Sequence, residues 1–147
     1  MKKIEAFSRQ VVEVLPILMR EIMKREDSPL TRGMISFPQM VALDHLSRHP
    51  KVKMSELARA LSIKMSSATS LVNRLIAQRM LTREGDAEDR RIVWIKLSPR
   101  GRKAVQRIIQ QKSRAISDIF SVLTGLEREQ YLHILLKIHS HLNKPQS

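Results

Sequence analysis

The side chains with the most specific chemical potential stand together at Asp89, Arg90 and Arg91, within Arg83-Glu-Gly-Asp-Ala-Glu-Asp-Arg-Arg-Ile-Val-Trp-Ile-Lys-Leu-Ser-Pro-Arg-Gly101. A carboxylate two residues before a guanidinium can hold it by a charge-assisted hydrogen bond. An arginine restrained in this way loses less rotamer entropy when it meets a polyanion. The elements that must position it follow from the same stretch. Leu81 to Glu84 reads as the end of a short strand, and Gly85 to Asp89 as a turn-forming cluster. Ile92 to Leu97 is a β-branched and aromatic run suited to a second strand. Ser98-Pro99 then opens a helix, the hydroxyl as N-cap and proline at the first helical position. The arginines would therefore ride near the tip of a β-hairpin. A lone charged hairpin is ordinarily a solvated surface feature; the residues just upstream change the reading.

From Met54 the pattern is helix, turn, helix. Ser55 to Leu61 is one short helix, Ser62-Ile63-Lys64 the turn, and a second helix starts at Met65 or Ser66 and runs to about Arg79. Its faces separate: Ala68, Leu71, Val72 and Leu75 form an apolar stripe, while Ser66, Ser67, Ser70, Asn73, Arg74 and Ala77 form the other side. That second side has no acidic residue. Solvated faces usually mix Glu with Lys, whereas short hydroxyls, an amide and a guanidinium suit entry into a major groove and bonding to base edges and phosphates. Helix-turn-helix followed by a β-wing is the winged-helix arrangement, with the second helix in the major groove and the wing at an adjacent minor groove. Arg91 is the candidate for minor-groove insertion, where the negative potential is strongest. Asp89 is its restraint and Arg90 a phosphate contact. Lys64, Arg83, Lys96 and Arg100 flank the unit as supporting phosphate contacts.

Composition agrees. The chain has 147 residues, 42% of them hydrophobic, which suffices for one core. Formal net charge is +13, from 27 basic and 14 acidic residues. Residues 51–107 hold 14 of the Lys/Arg and 5 of the Asp/Glu, so the excess is concentrated in the middle of the chain. Aromatics are only 3%, few for a protein that stacks single-stranded bases, so duplex DNA is the expected partner. Without cysteine there is no disulfide, thiol nucleophile or thiolate zinc site. No signal-peptide pattern or long apolar run is present, which predicts a cytoplasmic protein with no membrane partner. No nucleophile–base pairing, phosphate-cradling glycine loop or paired carboxylates in an apolar setting argues for an enzyme, and no cofactor is expected.

The flanks are helical. Ile4, Phe7, Val11, Leu15, Leu18 and Ile22 recur at helical spacing over residues 2 to about 25, with Pro16 expected to kink or split the helix. Glu26 to Gly33 is a loop by composition. Ser36 and Gln39 form a capping box for the next helix, which turns Met40, Val41, Leu43 and Leu46 inward. His45 and His49 lie one turn apart on it, a metal-ligand spacing, but nothing in sequence completes a site, so a structural or solvent-facing role is favoured. Val105, Ile108, Ile109, Ile116, Ile119 and Phe120 mark a long helix from Pro99 to about Ser121, and a last helix spans residues 126–142. Apolar stripes on two long helices outside a small lobe need cover, from the first helix or from a second copy. Met19, Met23 and Met40 suit an adaptable pocket, though methionines at this spacing are more often core.

Leu57-Ala58…Leu61, Leu71-Val72-Asn73-Arg74-Leu75, Asp86…Asp89-Arg90-Arg91 and Leu97-Ser98-Pro99-Arg100-Gly101 together resemble the MarR family of bacterial transcription regulators. The similarity runs over essentially the whole chain, and the Asp-x-x-Asp-Arg-Arg wing is its most specific part. It implies a mainly α protein with a small β-hairpin wing. A winged helix-turn-helix lobe, residues 36–100, would be flanked by dimerisation helices at 1–30 and 101–147. It also implies a homodimer on a pseudo-palindromic operator, a repressor released by a small aromatic or anionic effector, and an effector pocket between the dimerisation helices and the lobe. By the same resemblance Asp89 and Arg91 take the wing-anchor and minor-groove roles, and Ser66, Ser67, Thr69, Ser70 and Arg74 the recognition-helix positions. Asn73 stands where the family most often has Asp, and Ile63-Lys64-Met65 where a capping serine is common. A non-specific architectural DNA binder and a metal-responsive regulator are the alternative readings.

Overall fold

The structure, a computed structural model, describes residues 2–30 and 32–143. Met1, Thr31 in the expected loop, and residues 144–147 at the end of the expected C-terminal segment lie outside the described residues. In chain order the elements are α1 (Lys2–Arg25), α2 (Phe37–Arg48), β1 (Val52–Lys53), α3 (Met54–Ala60), α4 (Met65–Ala77), β2 (Leu81–Gly85), β3 (Val93–Leu97), α5 (Pro99–Phe120) and α6 (Gly125–Leu142). Among the described residues no helix is long and apolar enough to cross a membrane.

The starts of α2, α5 and α6 follow side chains that satisfy their first amides, whereas α3 and α4 begin at Lys53 and Lys64 without a side-chain cap. At α2, Gln39 N donates to Ser36 Oγ (3.3 Å) while Ser36 N donates to Gln39 Oε1 (2.8 Å), completing the capping box read from sequence. Ser98 caps α5 by accepting from Gly101 N at 3.0 Å. Thr124 and Glu127 cap α6 reciprocally. Of the kink or split expected at Pro16, the split does not occur: α1 is one element with Pro16 inside it. Proline removes its own amide bond and crowds the carbonyl four residues back, but the turns on either side keep their bonds and the helix runs through it.

Helices α3 and α4 both end on a residue in the left-handed region, Ser62 (φ 53°) and Arg79 (φ 60°). In each case the next amide reaches back five residues, Ile63 N to Ala58 O (3.0 Å) and Met80 N to Leu75 O (2.9 Å). These are Schellman closures, and they turn the chain sharply without a glycine. The first sets α4 against α3; the second aims the chain from α4 into β2.

The wing is a hairpin in a sheet of order β1-β3-β2. β2 and β3 pair antiparallel with Leu81 opposite Leu97 and Gly85 opposite Val93. β1 pairs antiparallel with β3 through Val52 opposite Ile95 and Lys53 opposite Trp94. Sequence reading missed this third strand. Two residues carry no periodicity, and only pairing with β3 makes them a strand.

One core holds the lobe together: Ile35, Leu43, Leu46, Leu57, Val72, Leu75, Leu81 and Ile95 are buried, joined by Val105 and Ile108 from α5. Ala42 takes a fully buried place on α2, whereas Met40 and Val41, both expected inward, are only partly buried, Met40 packed against the core. The apolar stripes outside the lobe are different. Helix α6 has no buried residue, and Ile109 and Ile116 of α5 and most apolar side chains of α1 are exposed.

Candidate nucleic-acid interface

Helix α4 presents the two faces read from its sequence. Ala68, Leu71, Val72 and Leu75 are buried, while Ser66, Ser67, Ser70, Asn73, Arg74 and Ala77 are exposed. No acidic residue occurs anywhere in the helix. Grooves run along both sides of this face. One, of about 480 Å³, separates Ser67 and Arg74 from Pro38 and Gln39 at the start of α2. The other, about 590 Å³, is bounded by Thr69, Asn73 and Ala77, and Ser66, Ser70 and Arg74 border both. Thr69 sits differently from the others, half-buried with its hydroxyl donating to Met65 O at 2.9 Å.

The wing tip places Asp89, Arg90 and Arg91 in and beside the turn, as read from sequence. Arg91 makes the fork expected of it: Nε donates to Asp89 Oδ1 and Nη2 to Oδ2, each at 3.1 Å, and the Arg91 amide donates to Oδ1 at 3.0 Å. Its side chain is nonetheless 90% exposed, so the guanidinium is aimed without being sequestered. The Arg91 hydrogen bonds hold the Asp89 carboxyl below the usual aspartate range.

Arg83 Nη2 donates to Asn73 Oδ1, so a residue of β2 is bonded to the exposed face of α4. The helix face and the root of the wing are thereby one surface. Arg83 and Lys96, both expected at the phosphate backbone, have partners within the protein; Lys96 Nζ lies 2.6 Å from Glu84 Oε2 across the hairpin. Arg74 and Arg90 are exposed within the face and the tip. Lys64, the N-cap of α4, and Arg100, in the first turn of α5, are exposed at the margins.

Asp86 and Trp94 form a part of the site that the sequence reading did not assign. Asp86 Oδ1 accepts from Trp94 Nε1 at 2.8 Å, and Oδ2 accepts from the amides of Glu88 and Asp89, each at 3.1 Å. The indole bond, then the two amides, draw the Asp86 carboxyl below the usual range. Aspartate two residues before a free amide is the signal for an Asx turn, but the tryptophan eight residues on is reached only once the hairpin register is known.

His45 and His49 stack on one another, with centroids 4.3 Å apart and planes at 25°. Burial, then the neighbouring His49, lowers the His45 pKa. Among the described residues no group of three or more His, Asp or Glu is placed to hold a metal.

The MarR family model matches residues 35–92, from the core residue ahead of α2 to the wing tip. The chain belongs to the MarR family. Of its relatives, the HTH-type transcriptional regulator YwhA of Bacillus subtilis is 30% identical over 91 residues, covering 62% of this chain and 66% of YwhA. The HTH-type transcriptional repressor MdtR of the same organism is 23% identical over 138 residues, covering 94% and 89%. A MarR family protein from Bacillus stearothermophilus has the same fold, with a TM-score of 0.74, 23% identity and 97% and 95% of the two chains covered. So does a mutant of S. aureus MepR bound to an oligodeoxyribonucleotide, at a TM-score of 0.68, 22% identity, and 93% and 98% covered. This MarR-family chain is thus a winged helix-turn-helix transcriptional regulator, its matched segment spanning the α4 face and the Asp89–Arg91 fork.

Proposed function

We propose that the protein represses transcription as a homodimer bound to a pseudo-palindromic operator in duplex DNA. Ser66, Ser67, Ser70, Asn73 and Arg74 of α4 enter the major groove and Thr69 braces the helix at the groove wall. Arg91, held by Asp89, enters the flanking minor groove while Arg90 meets phosphate. Lys64 and Arg100 extend the phosphate contacts outward, and Arg83 and Lys96 add to the field around the wing. The observation that carries this reading is the bidentate Asp89–Arg91 fork at the tip of a hairpin whose root is bonded to an acid-free helix face. A restrained, exposed guanidinium beside such a face has its conformational cost met before DNA arrives.

The dimer is supported by the exposed apolar side chains of α1, α5 and α6, which one chain leaves uncovered. Two lobes would then address half-sites about 34 Å apart. A small aromatic or anionic effector suits a groove of about 830 Å³ where α1, α5 and α6 meet. Leu18, Met19, Ile116, Phe120 and Tyr131 wall it, and Arg128 lies at its edge. Its binding would favour a lobe spacing that no longer matches the half-sites.

Selection of bound fragments from genomic DNA, followed by titration of the best fragment and of random duplex across salt concentrations, tests the reading. A preferred sequence is expected, with a log–log salt slope of about −0.9 per phosphate neutralised. Equal affinity for random DNA would replace it with a non-specific architectural role, and a flat slope would remove the electrostatic basis altogether.

A further inference from the structure

We propose that Trp94 is a positioning residue for Arg91, acting through the Asp86 carboxylate. The inference rests on the wing's docking on duplex DNA and assigns the residue that keeps its tip in the docking geometry.

Trp94 lies in β3, paired with Lys53 on one side and Glu84 on the other. Its ring is gripped in two ways. The Lys51 ammonium stands 4.4 Å from the ring centroid and that of Lys53 5.5 Å, both within cation–π range. The indole N–H is spent on Asp86 Oδ1. The other oxygen of Asp86 takes the Glu88 and Asp89 amides, so the carboxylate links the strand to the inside of the turn. Two backbone bonds close the same turn, Asp86 N to Ile92 O and Ile92 N to Asp89 O, each 3.0 Å. Asp89, oriented by its amide and carbonyl, forks Arg91. The path from Trp94 to Arg91 is therefore an unbroken series of directional bonds, and each step fixes the next. Gly85 and Ala87 bring no polar side chain to the turn, so the tether from β3 supplies the restraint they lack.

A purely space-filling tryptophan would not need its N–H. Trp94→Phe keeps an aromatic face for Lys51 and Lys53 and deletes only that donor. Asp86→Asn interrupts the same path while leaving the indole in place, and covers the case in which the first variant does not fold. The test is a double-mutant cycle against Arg91→Ala, read by equilibrium titration of the tightest-binding genomic duplex recovered by selection. Because this bond acts on Arg91 only through the turn, the affinity loss for Trp94→Phe or Asp86→Asn when Arg91 is present is expected to be about threefold to tenfold, less than the full worth of a hydrogen bond to a charged acceptor. In the Arg91→Ala background each is expected to change affinity less than twofold, because the group being positioned is gone. Equal losses in both backgrounds, or no loss in either, would overturn the positioning role. A wild-type chain that binds no duplex would instead overturn the DNA reading on which it rests.

Discussion

Arg91 shows how an exposed side chain can be ordered. Its side chain is 90% exposed, yet three hydrogen bonds run from it to Asp89, two from the guanidinium and one from the amide. Arg91→Ala is expected to weaken operator binding by about 1–3 kcal/mol at fixed salt. Arg91→Lys keeps the charge but cannot form the fork, so most of that loss should persist; full affinity in the lysine variant would show that charge alone matters. The wing carboxylates also predict a pH dependence. Asp86 and Asp89 are both held below the ordinary aspartate value of 3.8, Asp86 first by the Trp94 indole and Asp89 first by the Arg91 guanidinium. Their depressed pKa means that these bonds stabilise the folded wing fully above 3.8 and are lost as pH falls through the lower folded values. Trp94 is the sole tryptophan, so its emission reports the change. Emission should be flat from about pH 7 to 5 and shift only below about pH 4. A transition near neutrality would assign control to another group. The Asp89–Arg91 pair could be read from sequence because its partners are two residues apart. The Asp86–Trp94 bond could not, since eight residues and a reversal separate them.

At the scale of elements, the join between wing and α5 is the tightest constraint. Ser98 Oγ donates to Arg79 O at 2.6 Å, and Ser98 N to Met80 O at 2.9 Å, which locks the start of α5 onto the end of α4. A Cβ on Gly101 would fall 2.1 Å from the Met80 carbonyl oxygen, a backbone atom that cannot step aside. Gly101→Ala should therefore destabilise the protein by about 3 kcal/mol in denaturant unfolding. A change under about 0.5 kcal/mol, ordinary for an exposed site, would mean that the α4–α5 join is looser than its bonds suggest. The two faces of α4 and the caps at Ser36 and Ser98 were legible in advance because helical periodicity and capping are local. β1 was not, and neither was the Arg83–Asn73 bond, which depends on how far β2 doubles back along α4.

At the scale of the whole molecule, the apolar surface left uncovered on the long helices is the ground for the proposed dimer. Leu132, Leu136 and Ile138 of α6 are each more than half exposed, and no described residue of that helix is buried. Long apolar-faced helices at an obligate interface bury about 2,000 Å² or more. Sedimentation is expected to give a dimer, and Leu132→Glu with Leu136→Glu should shift it toward monomer by placing charge in that interface. Operator affinity should fall with it, because one lobe reaches only one half-site. A doubly substituted protein that stays dimeric with full affinity would place the interface elsewhere.

Local rules alone, namely periodicity, capping, turn chemistry and the uneven charge, determined the order of the helices, the presence of the wing and the identity of its paired Asp89 and Arg91. Those features depend on neighbours a few residues apart, whose preferences are already written along the chain. The tertiary structure decided what lies between distant segments. It brought Trp94 to Asp86, stacked Lys51 and Lys53 on the indole, spent Arg83 on Asn73, and drew Val105 and Ile108 of α5 into the core of the lobe. The physical reason is that strand register and the packing of one element on another set these contacts, and neither is specified until the chain has closed on itself.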